Sequence, residues 1–352
     1  MVQTTAVITG APGWLGTRLV RLIAEGMSDV PAFADGAPER QVRCLVLPQQ
    51  DAAPLTKIDG KFDAVTGDVT EPKSLPALFE GASGGTLFHC AGVIHPTKGL
   101  SQFYDVNVQG TSNVLAAAKD AGVKRVVHVS SNSPVGVNRS PDSVFDETSP
   151  YNPYMHYGKS KRMGEELVRQ AHNQGDLETA IVRPPWFYGP DQPPRQTLFF
   201  HMIRDGKGPI VGDGNNRRSM AYVDNICQGL LLCEQVDAAN GQTYWIADRQ
   251  PYTMNEVLDT VERLMEEEFS VQVAHKRLKL PGFASGFALL ADKMLQGVGL
   301  YHQKIHVLSE MNKTIACSIS KAEKELGYDP KIALEEGMRR SLKWMVDSGL
   351  PL

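Results

Sequence analysis

The sequence predicts an α/β fold, a doubly wound parallel sheet covered by helices on both faces, with a smaller C-terminal substrate-binding lobe. Three observations predict it. Six short β-rich runs, at 4–9 (TTAVIT), 41–47 (QVRCLVL), 62–66 (FDAVT), 86–90 (TLFHC), 125–130 (RVVHVS) and 179–183 (TAIVR), alternate with amphipathic segments of helix length. The runs are largely apolar end to end rather than alternating, as in strands buried on both faces. The first run leads straight into the glycine-spaced turn TGAPGWLG at 9–16, and a sheet of this kind binds ligands beyond the carboxyl ends of its strands.

In chain order, the turn after the first run opens a helix. Gly10 allows the tight turn, Gly13 admits a pyrophosphate close to the backbone, and Gly16 lets helix and strand pack together. The amides at the helix start, at Trp14 and Leu15, face the phosphates. The polar stretch SDVPAFADGAPERQ before the second run reads as an exposed loop insertion. The segment YMHYGKSKRMGEELVRQ, before the sixth run, reads as a helix with an apolar stripe. Tyr157 and Lys161 are four apart on it and so share one face. After Arg183 the pattern becomes irregular: PPWFYGPDQPP is turn material, GDGNN another turn, a helix begins at about Asp224, and QTYWIAD at 242–248 returns to the sheet. The expected division is therefore residues 1–183, also receiving about 222–250, for the dinucleotide-binding domain, and 184–221 with 251–352 mainly for the substrate lobe.

With 352 residues, 42% hydrophobic and 22% charged, the chain has the composition of a globular protein with one large core or two joined ones. A net charge of −4 gives no electrostatic reason to expect nucleic-acid binding. The start from Met1 shows no secretory leader, so the cytoplasm is the expected compartment. The five cysteines form no CxxC pair and read as buried reduced thiols, and no metal-ligand pattern stands out. The apolar stretch from Phe283 to Leu300 carries Asp292 and Lys293 at its middle, which argues against a membrane span.

A phenol is a poor base at neutral pH, but a nearby ammonium favours its ionised form. On that ground Lys161 is expected to lower the Tyr157 pKa, letting the phenol exchange a proton with an alcohol or ketone.

TGAPGWLG, VSS at 129–131, YGKSK at 157–161 and RRSMAYVDN at 217–225, in this order and spacing, resemble the extended short-chain dehydrogenase/reductase superfamily, in its epimerase/dehydratase and 3β-hydroxysteroid dehydrogenase-like branch. The resemblance covers nearly the whole chain. It implies a Rossmann-type fold, a nicotinamide cofactor, a small-molecule substrate and a homodimer. Ser131 matches the serine that hydrogen-bonds the reacting oxygen, with Ser130 as the weaker candidate, and Lys161 matches the lysine that also holds the nicotinamide ribose. Asp68 and Val69 match the adenine contact, Ala91 and Gly92 the floor beneath cofactor and substrate, and Pro184 joins the cofactor-binding set. Asn107 matches an asparagine that supports the local backbone. Many reductase relatives carry an arginine where Leu47 stands, and its loss favours NAD, with NADP the alternative.

The resemblance leaves two substrate readings. Arg218 and Ser133 fall where sugar-nucleotide epimerases hold the diphosphate and touch the sugar, and guanidinium suits phosphate. Against this, LPGFASGFALLADKMLQGVGLYHQ puts apolar helices in the C-terminal lobe. These suit a hydrophobic alcohol or ketone, unless they simply pack the lobe's own core. A secondary-alcohol dehydrogenase or ketone reductase is the preferred reading and the epimerase the alternative. The dehydratase route is disfavoured, because Asn132-Ser133 stands where those enzymes place Asp-Glu. His95 and Lys98, just past the expected nicotinamide floor, are either substrate contacts or part of a solvated loop.

Overall fold

The computed structural model describes residues 4–352, and the expectation about the start of the chain at Met1 falls on residues 1–3, outside the described residues. The six runs form β1 (Ala6–Thr9), β2 (Val42–Val46), β3 (Phe62–Thr66), β4 (Thr86–His89), β5 (Arg125–Val129) and β6 (Glu178–Arg183). After β7 (Trp186–Tyr188), β8 (Gly208–Val211), β9 (Arg217–Arg218) and β10 (Met220–Tyr222), the chain rejoins the sheet as β11 (Gln242–Trp245). The sheet runs β11-β6-β5-β4-β1-β2-β3 with every pair parallel. Its strand order reverses between β1 and β4, which is where such sheets open a ligand crevice.

The strands are connected through α1 (Trp14–Glu25), α2 (Ala53–Thr56), α3 (Ser101–Tyr104), α4 (Thr111–Asp120) and α5 (Met155–Asn173). Then come α6 (Pro194–Arg204) and α7 (Val223–Gln235), followed by β12 (Tyr252–Thr253), α8 (Met254–Glu267) and β13 (Arg277–Leu280). The chain closes with α9 (Phe283–Gly297), α10 (Gln303–Glu310), α11 (Ser320–Leu326) and α12 (Leu334–Asp347). Alternate residues of one strand feed opposite layers, as the pleat requires. Ala6 and Ile8 pack in a core with α1, α7 and α11, while Val7 packs in another with α4 and α5. A third apolar cluster joins Phe200 and Ile203 of α6 with Leu258 and Leu264 of α8 and Met338 and Leu342 of α12. Asp248, just past β11, accepts from Tyr188 Oη at 2.7 Å, the Tyr222 amide at 2.9 Å and Asn225 Nδ2 at 3.0 Å. It thereby fastens this cluster to the sheet edge. The five cysteines are free thiols, four buried and Cys90 partly so. Among the described residues, no helix is long and apolar enough to cross a membrane.

One buried charge fixes the spacing of β5, β6 and α5. Glu165 is fully buried on α5 and accepts from Arg183 Nε at 2.8 Å and Nη2 at 2.7 Å. It also accepts from Ser130 Oγ at 2.6 Å, from the Tyr151 hydroxyl and from Arg169 Nη2 at 3.2 Å. Burial pushes the carboxyl pKa up, but the hydrogen bonds and charge of Arg183, with Ser130 and Tyr151, hold it below the ordinary value. Ser130 is thus committed to the scaffold. Removing one partner of a buried ion pair leaves the other charge uncompensated. Glu165→Ala is therefore expected to destabilise the fold by about 3–5 kcal/mol, read by chemical denaturation; a loss under about 1 kcal/mol would refute this role.

Candidate active site

The turn between β1 and α1 is as tight as its glycines require. Gly10 has a φ of +78°, and a Cβ there would lie 2.9 Å from the Ala91 amide nitrogen at the end of β4. Gly16 leaves no room for a Cβ against the Gly10 carbonyl. A Cβ on Gly13 would meet that same carbonyl at 3.0 Å, so this glycine serves the turn itself as well as any ligand. Gly13 is also the N-cap of α1, where no side chain caps the helix and no acidic residue occupies the first turn. The first amides are left to receive an anion. Trp14 is held by a 2.6 Å bond from its indole nitrogen to the Pro190 carbonyl, and Leu15 is buried. Arg18, one turn on, pairs with Asp224 at the start of α7 through bonds of 2.5 and 2.8 Å.

The other expected cofactor residues ring the same crevice. The Ala91 amide donates to Thr9 Oγ1 at 3.2 Å, and a Cβ on Gly92 would approach Asn107 Oδ1 at 3.3 Å and Lys161 Nζ at 3.8 Å. Asp68 is turned onto its own loop, where it accepts from the Thr70 amide and hydroxyl, both at 2.9 Å. Val69 is buried beneath Gly110, and Pro184 is buried between β6 and β7. At the end of β2, Leu47 through Thr56 include no lysine or arginine. Arg43 is occupied by Asp63 at 2.8 Å and by the Leu78 and Ala77 carbonyls. Uncapped amides, a Cβ-free approach to β4 and this crevice fit a dinucleotide.

The residues expected to transfer the proton meet at the carboxyl end of β5. Ser131 Oγ lies 3.4 Å from Ser133 Oγ and accepts from the Ser133 amide at 3.3 Å. Half-buried Tyr157 packs its ring 5.8 Å from Phe103. Burial raises the pKa of the phenol, and the neighbouring Ser131 hydroxyl and the Arg195 charge pull it back without overcoming that effect. Lys161 is buried, donates to the Val129 carbonyl at 2.7 Å, and has its pKa lowered to about 8 by burial, against the pull of Glu165. Its ammonium is drawn onto the strand end, and Arg195, at the start of α6, is a further cation bearing on the phenol. Arg195 makes no side-chain hydrogen bond or ion pair among the described residues. Asn107 sits in a π-helical stretch, Asp105–Gly110, and brackets Val93 with bonds of 2.8 Å to its amide and 3.0 Å to its carbonyl, which is the backbone support expected of it.

On the substrate side, His95 is not a free loop residue. Its Nδ1 lies 2.6 Å from the Tyr301 hydroxyl, and burial lowers its pKa to about 4. Tyr301 packs on Phe103 at 5.9 Å and on His306 at 5.6 Å, so the aromatic wall reaches Tyr157. Arg218 on β9 is half-buried, with Nη1 donating to the Glu310 carbonyl at 3.2 Å, and burial lowers its pKa. The structure therefore gathers Ser131, Ser133, Tyr157 and Lys161 at one strand end, and ties His95 to them through Tyr301 and Phe103. Arg195, Phe103 and Tyr301 escaped the sequence reading because no spacing relates α3, α6 and the α9–α10 connection to Tyr157.

The chain matches the model of the NAD dependent epimerase/dehydratase family over residues 6–247. It is 29% identical, over 96% of its length and 78% of the relative's, to 3beta-hydroxysteroid-dehydrogenase/decarboxylase isoform 1 of Arabidopsis thaliana. It is 32% identical, over 76% of its length and 74% of the relative's, to an Escherichia coli O157:H7 enzyme named N-acetyl-alpha-D-glucosaminyl-diphospho-ditrans,octacis-undecaprenol 4-epimerase. Among solved structures, the dTDP-glucose 4,6-dehydratase DesIV from Streptomyces venezuelae, with NAD bound, is similar at a TM-score of 0.75 and 27% identity, covering 98% of this chain and 97% of that one. With its parallel sheet and glycine turn, and a match spanning β1 to the end of β11, this chain belongs to the NAD dependent epimerase/dehydratase family.

Proposed function

We propose that the protein is an NAD-dependent dehydrogenase or ketone reductase acting on a secondary alcohol or ketone with an apolar body. One observation carries this reading. The phenol of Tyr157 and the hydroxyl of Ser131 face each other at the end of β5, beside an aromatic wall of Phe103 and Tyr301. Bound NAD would supply the hydride acceptor, its pyrophosphate held at the uncapped start of α1 and its nicotinamide ribose by Lys161. Ser131 orients the reacting oxygen, and Tyr157 takes its proton in oxidation or returns one in reduction. Arg195 favours the phenolate during oxidation. NAD is preferred over NADP because a 2′-phosphate would meet no cation at Leu47–Thr56 and Arg43 is engaged elsewhere.

The epimerase remains the second reading, supported by Arg218 and Ser133 on the substrate side and by the family's sugar-nucleotide members. Against it, the Arg218 guanidinium is turned to the Glu310 carbonyl and the surface nearest Tyr157 is aromatic. Dehydration is disfavoured because Asn132 and Ser133 follow Ser131 where a carboxyl pair is needed.

The deciding assay follows reduced-nicotinamide absorbance with NAD and NADP supplied separately, across hydroxysteroids, aliphatic secondary alcohols and sugar nucleotides. Net reduction of NAD by an apolar alcohol is expected; conversion of a sugar nucleotide to its epimer without net absorbance change would overturn the reading. In the same assay Tyr157→Phe should retain NAD affinity and lose roughly 10²–10⁴-fold in kcat, the range for a lost general acid/base. Near-normal turnover would refute the role of the phenol. Arg195→Leu removes a positive charge facing the phenol, so the Tyr157 pKa should rise. The ascending limb of the kcat/KM profile for alcohol oxidation should then move to higher pH, and an unmoved limb would show that Arg195 does not act on the proton-transfer group.

A further inference from the structure

Helix α9 is turned inside out relative to a helix packed on an apolar core. Its buried residues are Ser285, Ala288, Asp292 and Gln296, three of them polar, whereas Phe283, Phe287, Leu290 and Met294 are 57–69% exposed. These four recur at intervals of four, three and four residues, so they form one continuous stripe on the outer face. Val298 and Leu300 extend the exposed apolar surface past the helix end, and Leu278 and Val307 are exposed on β13 and α10. The inner face is polar because it meets polar partners. Asp292 is bound by His306 Nδ1 at 2.7 Å and by Gln296 Nε2 at 3.0 Å, and Gln296 Oε1 accepts from the His156 amide at 3.3 Å.

Within the segment that carries the stripe, the exposed charges have one sign, while the acids Asp213 and Asp259 lie at its β13 end. Between residues 276 and 309 the exposed charged side chains are Lys276, Lys279, Lys293 and Lys304. Arg277 is half-buried on Glu262 at 3.0 Å and on Asp259, and the single acid of the segment, Asp292, is fully buried. Asp213 stands at the base of this face, beside the Gly212 backbone that approaches Gly282. An apolar stripe flanked by lysines matches a bilayer with anionic headgroups, into which aromatic and aliphatic side chains dip while ammonium groups stay at the phosphates. A second copy of the chain is a poorer occupant, because a symmetric contact would bring the same lysines together.

We infer that α9 is a membrane-surface anchor that seats the protein on an anionic lipid bilayer. The assignment goes beyond the hydride-transfer reading and stands without it.

The test is co-sedimentation of the full chain with vesicles of phosphatidylglycerol and phosphatidylcholine, and with phosphatidylcholine alone. The protein should pellet with the anionic vesicles, less so at high salt, and less with phosphatidylcholine. The double variant Phe283→Ser/Phe287→Ser should lower the bound fraction about tenfold or more, and Lys293→Glu/Lys304→Glu should weaken binding to anionic vesicles specifically. Both alter exposed positions, and unchanged thermal melting would confirm that each folds. Failure of the parent chain to pellet, or equal pelleting of the serine variant, would overturn the inference. So would a parent dimer that the serine variant converts to monomer in light scattering with no vesicle binding in either, because the face would then be a self-interface. Sedimentation does not depend on turnover, so a failed activity assay leaves this result distinct.

Discussion

The buried Glu165–Arg183 ion pair is the constraint on which the rest of the site depends. Ser131 lies on the loop after β5 and Tyr157 on a helix more than twenty residues later, so their encounter needs a fixed distance between strand and helix. Glu165 supplies it by binding Ser130, the neighbour of Ser131, and Arg183 at the end of β6, while standing one helical turn from Lys161. A carboxylate taken wholly out of water is tolerable only when paired and hydrogen-bonded. The saturation of Glu165 therefore leaves little freedom in how α5 lies on the sheet. The same charge favours the ammonium form of Lys161 against the penalty of its burial.

The cofactor side rests on a different economy. The glycine turn places backbone where side chains would collide, and the uncapped first turn of α1 leaves amide donors available to an anion. The Arg18–Asp224 pair ties α1 to α7, so the uncapped end of one helix is braced by the first turn of another. In a protein of net negative charge, this local presentation of donors is what would seat an anionic cofactor.

In the C-terminal part, polarity has changed sides. The helices near the active site turn hydrogen-bonding groups inward, onto the loop that begins α5: Tyr154 Oη lies 2.6 Å from Ser309 Oγ, and Gln296 holds the His156 amide. The large apolar residues Phe283, Phe287, Leu290 and Met294 of α9 face outward, while Ala288 is buried.

Much of this was legible in the residues themselves. The sheet followed from six β-rich runs, because a parallel strand buried on both faces must be apolar throughout; the exposed edge strand β3 is the exception. The glycine turn and the Tyr157–Lys161 register depend on local geometry, which short-range spacing encodes. Tertiary structure decided what spacing does not carry. Arg195, from α6, comes to bear on the phenol, Ser130 donates to the buried Glu165, and His95 is held by Tyr301 from a segment some two hundred residues away. An apolar periodicity fixes that a helix has a greasy face, but the sequence carries no statement of direction. Only the polar partners waiting at the site, His156, His306 and Asn312, determined which face of α9 turned inward and left its hydrophobic stripe to solvent.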